Sequence, residues 1–361
     1  MVIRSLQLKD YRNYDDLYME FDDNVNILFG DNAQGKTNIL EAIYLGSTTR
    51  SHRGNKDREL IHLGREESHI RIEMRREEIG HRIDIHLKRN KAKGAAIDGM
   101  PIRKSSELVG FMNVVFFSPE DLSMVKNGPG ERRRFVDMEL CQLDKVYLNF
   151  LSGYNRTVQQ RNNLLKQISF KPSLMDTLSI WDEQLVQYGN QVIEGRKKFI
   201  TCLNDVIRDI HYQLSGEKEE IHIQYVPSVD KDEFLTKLEQ GRERDIALKT
   251  TNTGPHRDDL VFYINDLDIR RFGSQGQVRS ATLSLKLAEI ELVKRMTGHK
   301  PILLLDDVLS ELDRTRQKQL LNGIQDIQVI ITCTGMEEFI RDRLKINKVY
   351  HVSEGKVTIT E

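Results

Sequence analysis

Apolar and polar residues alternate along much of roughly the first 120 residues, which is the pattern of half-buried β-strands. The segments "IRSLQLKDY", "SHIRIEMRRE" and "GHRIDIHLKR" all show this two-residue period. The second and third are predicted to pair as a hairpin. Its apolar faces carry Ile70, Ile72, Met74, Ile83, Ile85 and Leu87. Two continuous apolar runs, "VNILF" and "NVVFF", predict core strands, and Ser118 and Pro119 end the second.

In residues 137–216 the apolar period changes to three or four, which predicts long helices. One stripe consists of Leu143, Tyr147, Phe150, Tyr154, Thr157, Arg161, Leu164 and Ile168. The next consists of Leu178, Trp181, Leu185, Tyr188, Val192, Phe199, Leu203, Val206 and Ile210. The break "SFKPS" between them predicts an antiparallel pair, an arm of roughly 40 to 60 Å at 1.5 Å per residue. An ordinary helical subdomain fits the pattern equally well.

Strands and helices alternate again in the last third of the chain. The charged segment "SVDKDEFLTKLEQGRERDI" predicts a polar linker, and the strand pattern returns at "DDLVFYINDLDIRRF". A helix, an apolar strand, a second helix, the strand "QVIITCT" and a final hairpin turning at a glycine are predicted to follow. The chain as a whole therefore predicts an α/β fold with helices inserted between two β-rich ends.

The segment "FGDNAQGKTN", at residues 29–38, fits the spacing G-x-x-x-x-G-K-[ST] directly after a predicted strand. Glycines let successive N–H groups face phosphate oxygens, Lys36 reaches the terminal phosphates, and the Thr37 hydroxyl is placed to ligate Mg²⁺. The candidate nucleotide-binding residues are Gly30, Asp31, Asn32, Ala33, Gln34, Gly35, Lys36, Thr37 and Asn38. These residues do not decide between adenine and guanine.

The segment "PILLLDDVLSELD" supplies the other half of a phosphoryl-transfer site. Residues 302–305 predict a strand buried on both faces, with Asp306 at its carboxyl end, where ligands of open α/β sheets collect. Asp306 is expected to hold the Mg²⁺ that Thr37 also contacts, and Asp307 to orient or deprotonate the attacking water. One sheet must then contain both chain ends. We predict a head from residues 1–125 and 246–361, with residues 126–245 inserted as the arm.

A second candidate anion receptor lies in "FGSQGQ", where Ser274, Gly276 and Gln277 precede an amphipathic helix. The chain would then have two phosphate-binding ends but one complete loop. A two-fold dimer resolves this, because each Ser274 region would cover the γ-phosphate held by the other copy's Lys36. The alternative is that the segment is only a flexible loop and helix cap.

Charge and cysteine content restrict the partners and the compartment. Lysine plus arginine number 54 and aspartate plus glutamate 55, so nucleic acid would have to be met by a local patch. Three cysteines without a C-x-x-C pair suit a reducing compartment, and no segment has the ~18 apolar residues that span a bilayer. We expect a cytoplasmic protein without a membrane partner.

Basic residues are locally dense in three places, which predicts sequence-independent contacts to duplex phosphates. These are residues 132–134, residues 196–198, and a stretch containing Arg71, Arg75, Arg76, Arg82, Lys88, Arg89, Lys91, Lys93, Arg103 and Lys104. For any single one of these residues, a place on a solvated face is the more common explanation. Arg50 or Arg53 is a candidate for contacting the nucleotide phosphates or a second chain, and a plain surface loop is the alternative.

The motifs "GDNAQGKTN", "GPHRDDL", "FGSQGQ" and "LLLDDVLSELD", in this order, resemble those of the bacterial RecF family, in the SMC-like branch of ABC-type ATPases. The resemblance includes "LQLKDYRNY" and "VFFSPEDL" and implies an ABC/SMC-like head. It assigns residues 30–37 to Walker A, 274–277 to the signature, Asp306 to Walker B and 310–313 to the D-loop. It implies ATP and Mg²⁺ as cofactors and a weak DNA-stimulated ATPase that forms an ATP-dependent homodimer on DNA. RecR and RecO are the implied protein partners, and duplex DNA at gap junctions the implied substrate.

Two departures from the general ABC pattern bear on the mechanism: the first predicts slow turnover, and the second leaves the residue that senses the γ-phosphate unassigned. Asp307 replaces the more usual glutamate, so its carboxylate is one methylene shorter. Cys333 and Thr334 follow the strand where a switch histidine is expected, and Glu120 is the candidate stand-in for the Q-loop glutamine.

An SMC-type chromosome-organising head is the first alternative function, but residues 137–216 are too short for its coiled coil and hinge. A transporter ATPase would need a surface for membrane subunits and usually both switch residues.

Overall fold

The computed structural model describes residues 1–335 and 346–360 of the chain. The strands in these residues are β1 (Val2–Tyr11), β2 (Tyr14–Glu20), β3 (Val25–Phe29), β4 (Glu67–Arg76), β5 (Ile79–Lys88), β6 (Gly94–Ile97), β7 (Met100–Pro101), β8 (Val114–Phe117), β9 (Ile221–Val226), β10 (Asp259–Ile264), β11 (Leu267–Asp268), β12 (Ile302–Asp306), β13 (Val329–Cys333), β14 (Ile346–Ser353) and β15 (Lys356–Ile359). The helices are α1 (Lys36–Thr48), α2 (Asp57–Leu60), α3 (Pro129–Leu143), α4 (Lys145–Ile168), α5 (Leu178–Leu214), α6 (Phe234–Gln240), α7 (Arg242–Leu248), α8 (Ile269–Phe272), α9 (Gln275–Thr297) and α10 (Arg314–Gly323). Among the described residues, no helix combines the length and apolar character needed to cross a bilayer.

The chain folds into two compact units. One, here called the discontinuous unit, contains residues 1–122 and 282–361, and the other, the inserted unit, contains residues 123–281. Residues 246–281, which the sequence assigned to the head, group with the inserted unit in this division. The segment with Ser274 therefore belongs to the inserted unit.

An antiparallel sheet with strand order β2-β1-β4-β5-β6-β7 forms one layer of the discontinuous unit. The predicted hairpin is confirmed, because β4 and β5 pair antiparallel from Glu67 opposite Lys88 to Arg76 opposite Ile79. Its six predicted apolar side chains are all buried. The alternate residues of these strands form the solvent-facing side of the sheet.

A second sheet brings the two ends of the chain together, as predicted. Its strand order is β15-β14-β3-β13-β12-β8, and all its neighbours are parallel except β14 and β15. The four aliphatic residues of β12 are fully buried, as expected for a parallel strand covered on both faces. The order places β13 between β3, which leads into the glycine loop, and β12, which ends at Asp306.

The two long helices of the inserted unit, α4 and α5, pack antiparallel as predicted. Contact positions that advance along α4 recede along α5, as the pairs Tyr147 with Gly195, Gly153 with Tyr188, and Arg161 with Asp182 show. With 24 and 37 residues, the helices are about 36 and 55 Å long at 1.5 Å per residue. The helices are part of a larger α/β unit, because α5 also packs against β9 of a three-stranded sheet ordered β11-β10-β9.

The predicted polar linker at residues 228–246 is wrong, since α6 and the start of α7 occupy most of it. Phe234 and Leu238, one helical turn apart, are fully buried, so a two-residue apolar face is enough to hold α6. The charge of the segment is also partly buried. Asp245 accepts a 2.6 Å hydrogen bond from Arg161, which in turn binds Asp182 at 2.7 Å. Tertiary ion pairing, invisible in a linear charge pattern, stabilises these helices.

Candidate nucleotide-binding site

The loop between β3 and α1 has the backbone of a phosphate cradle. Gly30 has φ of 149° and Gly35 has φ of 116°, values that favour glycine strongly. A methyl group on Gly35 would lie 2.6 Å from Nδ2 of Asn13 and 2.7 Å from the Tyr14 hydroxyl, and one on Gly30 would collide with the carbonyl of Val352. The two glycines are therefore required by both conformation and space.

Lys36 is the first residue of α1, and its side chain is almost completely buried. Its ammonium group curls over the loop, donating to the carbonyl of Gly30 at 2.6 Å and to that of Asp31 at 2.8 Å. The N-terminal end of α1, with its unpaired N–H groups and positive dipole end, opens on the same loop. The residues here combine a fixed cation with backbone donors, the chemistry that binds phosphate.

The carboxylate of Asp306 lies at the carboxyl end of β12, where it meets residues from both ends of the chain. Its Oδ1 accepts hydrogen bonds from the Thr37 hydroxyl at 2.8 Å and the Thr332 hydroxyl at 2.9 Å. Burial raises the pKa of the Asp306 carboxyl above its ordinary value, and the two hydroxyl hydrogen bonds act in the opposite direction. The structure thus brings together Thr37 and Asp306, which the sequence had paired.

The oxygen atoms of Thr37 and Asp306 fit a magnesium ion. Two neighbouring ligands of an octahedral ion with bonds of about 2.0–2.1 Å are separated by about 2.9 Å. The observed separation between the Thr37 hydroxyl oxygen and Asp306 Oδ1 is 2.8 Å. A hydroxyl and a carboxylate are the hard oxygen donors that Mg²⁺ selects.

Thr332 is a site residue that the sequence analysis missed. It is level with Asp306 on the neighbouring parallel strand β13, and its hydroxyl oxygen also accepts the N–H of Asp307 at 2.9 Å. Asp307 itself is in the left-handed region, with φ of 50°, and begins the 3₁₀ turn Val308–Glu311. The available signal was a lone hydroxyl residue at the end of the apolar strand "VIIT".

Two β-turns flank the phosphate loop and hydrogen-bond to it. In the turn between β1 and β2, Asn13 donates to the carbonyl of Gln34 at 3.0 Å and accepts from the Asn38 amide at 2.8 Å. In the turn between β14 and β15, the N–H of Glu354 donates to the Gln34 side chain at 2.7 Å. The loop is consequently held by both ends of the chain.

A second missed residue, Glu41, anchors this arrangement from inside α1. Its carboxylate is fully buried and accepts two hydrogen bonds from Arg12, at 2.8 and 2.9 Å, and one from the Ser51 hydroxyl at 2.5 Å. Burial raises the pKa of Glu41, but the hydrogen bonds from Arg12 and Ser51 outweigh it, so the pKa lies below its ordinary value of 4.5. Glu41 therefore ties the turn carrying Asn13 to the helix that follows the phosphate loop.

The predicted signature residues form the N-terminal cap of α9. The N–H of Ser274 donates to Oε1 of Gln277 at 3.0 Å, and the N–H of Gln277 donates to the Ser274 hydroxyl oxygen at 3.1 Å. This reciprocal pair is a capping box. Gln277 also donates to Glu219 at 3.0 Å, and Gly276 lies within the first turn. The helix-cap interpretation is thus realised, and it is compatible with an anion-binding role because Ser274 remains exposed.

The motif "GPHRDDL" lies in the polar core of the inserted unit. His256 accepts a hydrogen bond from Tyr154 at 2.6 Å and donates to the carbonyl of Thr251 at 2.9 Å, and burial lowers its pKa to about 4. Asp258 binds Arg196 at 2.9 Å and also accepts from Tyr225. These polar groups face one another, so the motif joins the helices to the small sheet.

Two of the three predicted DNA-binding clusters need correction. Arg132 is 1% exposed and binds Asp259 at 2.8 Å, and Arg196 is 3% exposed and binds Asp137 and Asp258. Buried, paired guanidinium groups cannot reach DNA phosphates without breaking those ion pairs. The prediction counted charge along the chain, whereas the fold places these two arginines in the core.

The long basic stretch is also partly neutralised by carboxylates. Arg71 and Arg82 share Asp84 at 2.7 and 2.9 Å, and Lys93 binds Asp57 at 3.0 Å.

Arg50 and Arg53 were the candidates for contacting the nucleotide phosphates or a second chain. Arg53 lies 3.5 Å from the Asn38 side chain at the start of α1, while Arg50 is exposed. Glu120, the predicted stand-in for the Q-loop glutamine, is exposed, and Cys333, which stands where a switch histidine is expected, is the last residue of β13.

The chain resembles known proteins over its whole length. Residues 2–358 match the protein family described as RecF/RecN/SMC N terminal domain. A protein of Lachnoclostridium phytofermentans named DNA replication and repair protein RecF is 60% identical over 357 residues, which cover 99% of each chain. A solved structure of the recombination mediator protein RecF with ATP, in the RecFOR pathway, has a TM-score of 0.93 and 33% identity, covering 100% of this chain and 98% of that one. A solved Smc head bound to the C-winged helix domain of ScpA, at 15% identity and a TM-score of 0.57, covers 100% of this chain and 98% of that one and shares the fold.

Proposed function

Since this chain belongs to the RecF/RecN/SMC family, as a RecF-type DNA replication and repair protein with an ABC/SMC-like ATPase fold, we propose that it is an ATP-dependent, DNA-binding recombination mediator. It dimerises on DNA with ATP bound, hydrolyses ATP slowly, and acts with RecR and RecO to promote recombinase loading at gaps. The observation that carries the proposal is the contact between Thr37 and Asp306, which lie in opposite ends of the chain and meet beside Lys36.

Within one chain, residues of the discontinuous unit bind and orient the nucleotide. Lys36 exchanges its two carbonyl partners for β- and γ-phosphate oxygens, and backbone N–H groups of residues 30–38 bind the remaining oxygens. Thr37 and Asp306 would hold Mg²⁺, which would supply positive charge beside the phosphates to offset the negative charge that develops there. Asp307 orients or deprotonates the attacking water.

Slow turnover is supported by the surroundings of Asp307. Its side chain is one methylene shorter than glutamate, so the carboxylate extends less far from the backbone. The backbone is held by Thr332 and by the Ser310 hydroxyl, which donates to the Asp307 carbonyl at 2.7 Å. A short side chain on a fixed backbone has little freedom to approach water, which suits a timing switch.

The second copy of the chain completes the site. Ser274, Gly276 and Gln277 present the N-terminus of α9, and the Ser274 hydroxyl accepts within the capping box, so its own proton can be donated to a phosphate oxygen. In the dimer this end covers the γ-phosphate held by the partner's Lys36. ATP then joins the two chains, and hydrolysis separates them.

Dimerisation with and without ATP tests the proposal by light scattering after gel filtration. Wild-type protein should become dimeric with ATP, and more so with short duplex DNA. Lys36→Arg should lose both dimerisation and turnover, whereas Ser274→Arg should still bind nucleotide but remain monomeric. Ser179→Arg, which places the same charge at an exposed serine of α5, should dimerise normally. Normal ATP-driven dimerisation of Ser274→Arg would refute the shared site.

The DNA role is tested by binding titrations on gapped, duplex and single-stranded DNA across salt. Phosphate contacts predict affinity that falls steeply with salt, and dimer formation predicts tighter binding with ATP. Preference for the gapped substrate would support recombinase loading at gaps. Adding RecR to the complex of this protein with gapped DNA should shift the mobility of that complex further.

An SMC-type chromosome-organising head is the alternative function. It would bind duplex without gap preference and would need a coiled coil longer than the roughly 55 Å of α5.

A further inference from the structure

Two histidines face each other on the solvent side of the antiparallel sheet, in the discontinuous unit. His69 on β4 is directly opposite His86 on β5, and the ring centroids are 3.9 Å apart with 23° between the planes. Glu67, two residues before His69, is on the same side of the sheet, and its Oε2 lies 2.9 Å from Nε2 of His86. One ligand atom from each of the three side chains lies within 4.8 Å of the others.

The chemistry of this trio matches metal ions of intermediate softness. Two imidazole nitrogens and one carboxylate form a donor set found in three-ligand zinc sites that keep an open position. Imidazole suits Zn²⁺, Cu²⁺, Ni²⁺ and Co²⁺, whereas Mg²⁺ prefers oxygen donors. The set therefore differs in selectivity from the pair formed by Thr37 and Asp306.

The solvent access of the three side chains and the backbone that holds them also suit a bound ion. The β4 and β5 backbones fix the spacing of the three side chains through ten paired positions, so only side-chain rotation is needed to converge on one ion. On the other side of His86 lies Gly94, whose missing side chain leaves open space. Here a cleft of about 510 Å³ admits water to complete the coordination. Glu67 and His69 are exposed and His86 is half-buried, so an ion can enter from solvent.

We propose that Glu67, His69 and His86 form a surface site for one divalent transition-metal ion of the zinc class. Two positively charged side chains weaken the binding of a metal ion at this site: Lys88 contacts Glu67 at 3.4 Å, and Lys9 is directly opposite His69 on β1. Lys88 must release Glu67 when the ion binds. The affinity is accordingly lower than that of an enclosed structural site, and the site is filled and emptied as the free metal concentration changes.

Zinc binding to the full-length, chelator-treated protein tests the proposal, measured by calorimetry in excess Mg²⁺ so that the oxygen-ligand site is occupied. Wild-type protein should bind one more equivalent of Zn²⁺ than the double variant His69→Gln, His86→Gln. Each single histidine variant should lose at least about tenfold in affinity, since each removes a direct ligand. With Co²⁺, the wild type but not the double histidine variant should show the visible absorption of a nitrogen-ligated ion.

The matched control is His81→Gln, which removes an imidazole from the same strand, where it contacts Asp98 at 2.9 Å. This variant should bind Zn²⁺ as the wild type does. Because the substituted side chains lie at the surface, far-ultraviolet circular dichroism should be unchanged in all variants. Equal Zn²⁺ stoichiometry and affinity in the wild type and the double histidine variant would overturn the proposal, as would equal loss in His81→Gln.

Discussion

Replacing Glu41 by alanine is expected to destabilise the discontinuous unit more than any exposed carboxylate substitution. The change removes four hydrogen bonds, two from Arg12 at 2.8 and 2.9 Å, one from Ser51 at 2.5 Å and a long one from the Asn55 amide at 3.5 Å. Removing one partner of a buried ion pair costs about 3–5 kcal/mol, because it leaves the other charge without compensation. The Arg12 side chain is 19% exposed and can recruit water, which favours the lower end, about 3 kcal/mol.

Thermal and urea unfolding measure this loss. For a unit of this size, about 3 kcal/mol lowers Tm by about 6–12 °C. Nucleotide affinity should fall as well, because Arg12 precedes Asn13, which hydrogen-bonds to the carbonyl of Gln34 in the phosphate loop. Glu66→Ala is the matched control, since that carboxylate side chain is 76% exposed and lies 3.6 Å from Arg89. It should change stability by less than about 0.5 kcal/mol.

The pH dependence supplies an independent check on Glu41. The folded-state pKa is lowered below 4.5, so the stabilisation is present above that pH and is lost as the pH falls through the folded-state pKa. The stability gap between wild type and Glu41→Ala should therefore be constant near neutral pH and shrink below about pH 4.5. A gap smaller than about 0.5 kcal/mol at pH 7, or one that widens in acid, would show that Glu41 does not hold Arg12 and Ser51 as argued.

Three further substitutions separate function from stability. Asp306→Asn should abolish ATP hydrolysis while leaving Tm unchanged or raised. Burial raises the pKa of the Asp306 carboxyl, so its ionisation above pH 3.8 opposes folding, and the neutral amide removes that cost. A fall in Tm of several degrees would contradict this. Gly195→Ala should cost about 1–3 kcal/mol in urea unfolding, since its methyl would lie 2.6 Å from the Tyr147 ring, whereas Gly130→Ala, with no atom nearer than 3.8 Å, should be neutral. Gly35→Ala should lose binding of a fluorescent ATP analogue, and retained binding would show that the loop tolerates a methyl group there.

Local patterns were sufficient wherever one segment decides its own structure. The two-residue period placed the hairpin of β4 and β5 with its apolar side chains inward, and the helical period placed α4 and α5. The glycine spacing located the phosphate loop, because positive φ is a property of single residues. The apolar strand before Asp306 predicted that both chain ends share a sheet, and the parallel pairing of β3, β13 and β12 confirms it.

Contacts between distant segments could not be predicted in the same way. Arg132 and Arg196 belong to basic clusters in the sequence, yet both are buried against aspartates more than fifty residues away. The segment at residues 228–246 is rich in charge, yet Phe234 and the partners of Asp245 make it helical.

The sequence by itself therefore determined the β4–β5 hairpin, the core strands, the long helices and the position of the phosphate loop, and it predicted that Thr37 and Asp306 lie together. Only the tertiary structure decided that Thr332 and Glu41 belong with them, and which charges are buried. The physical reason is the distance along the chain over which each kind of interaction acts. Backbone conformation and side-chain period depend on neighbours within a few residues, whereas burial and ion pairing depend on which distant groups the folded chain brings within about 3 Å.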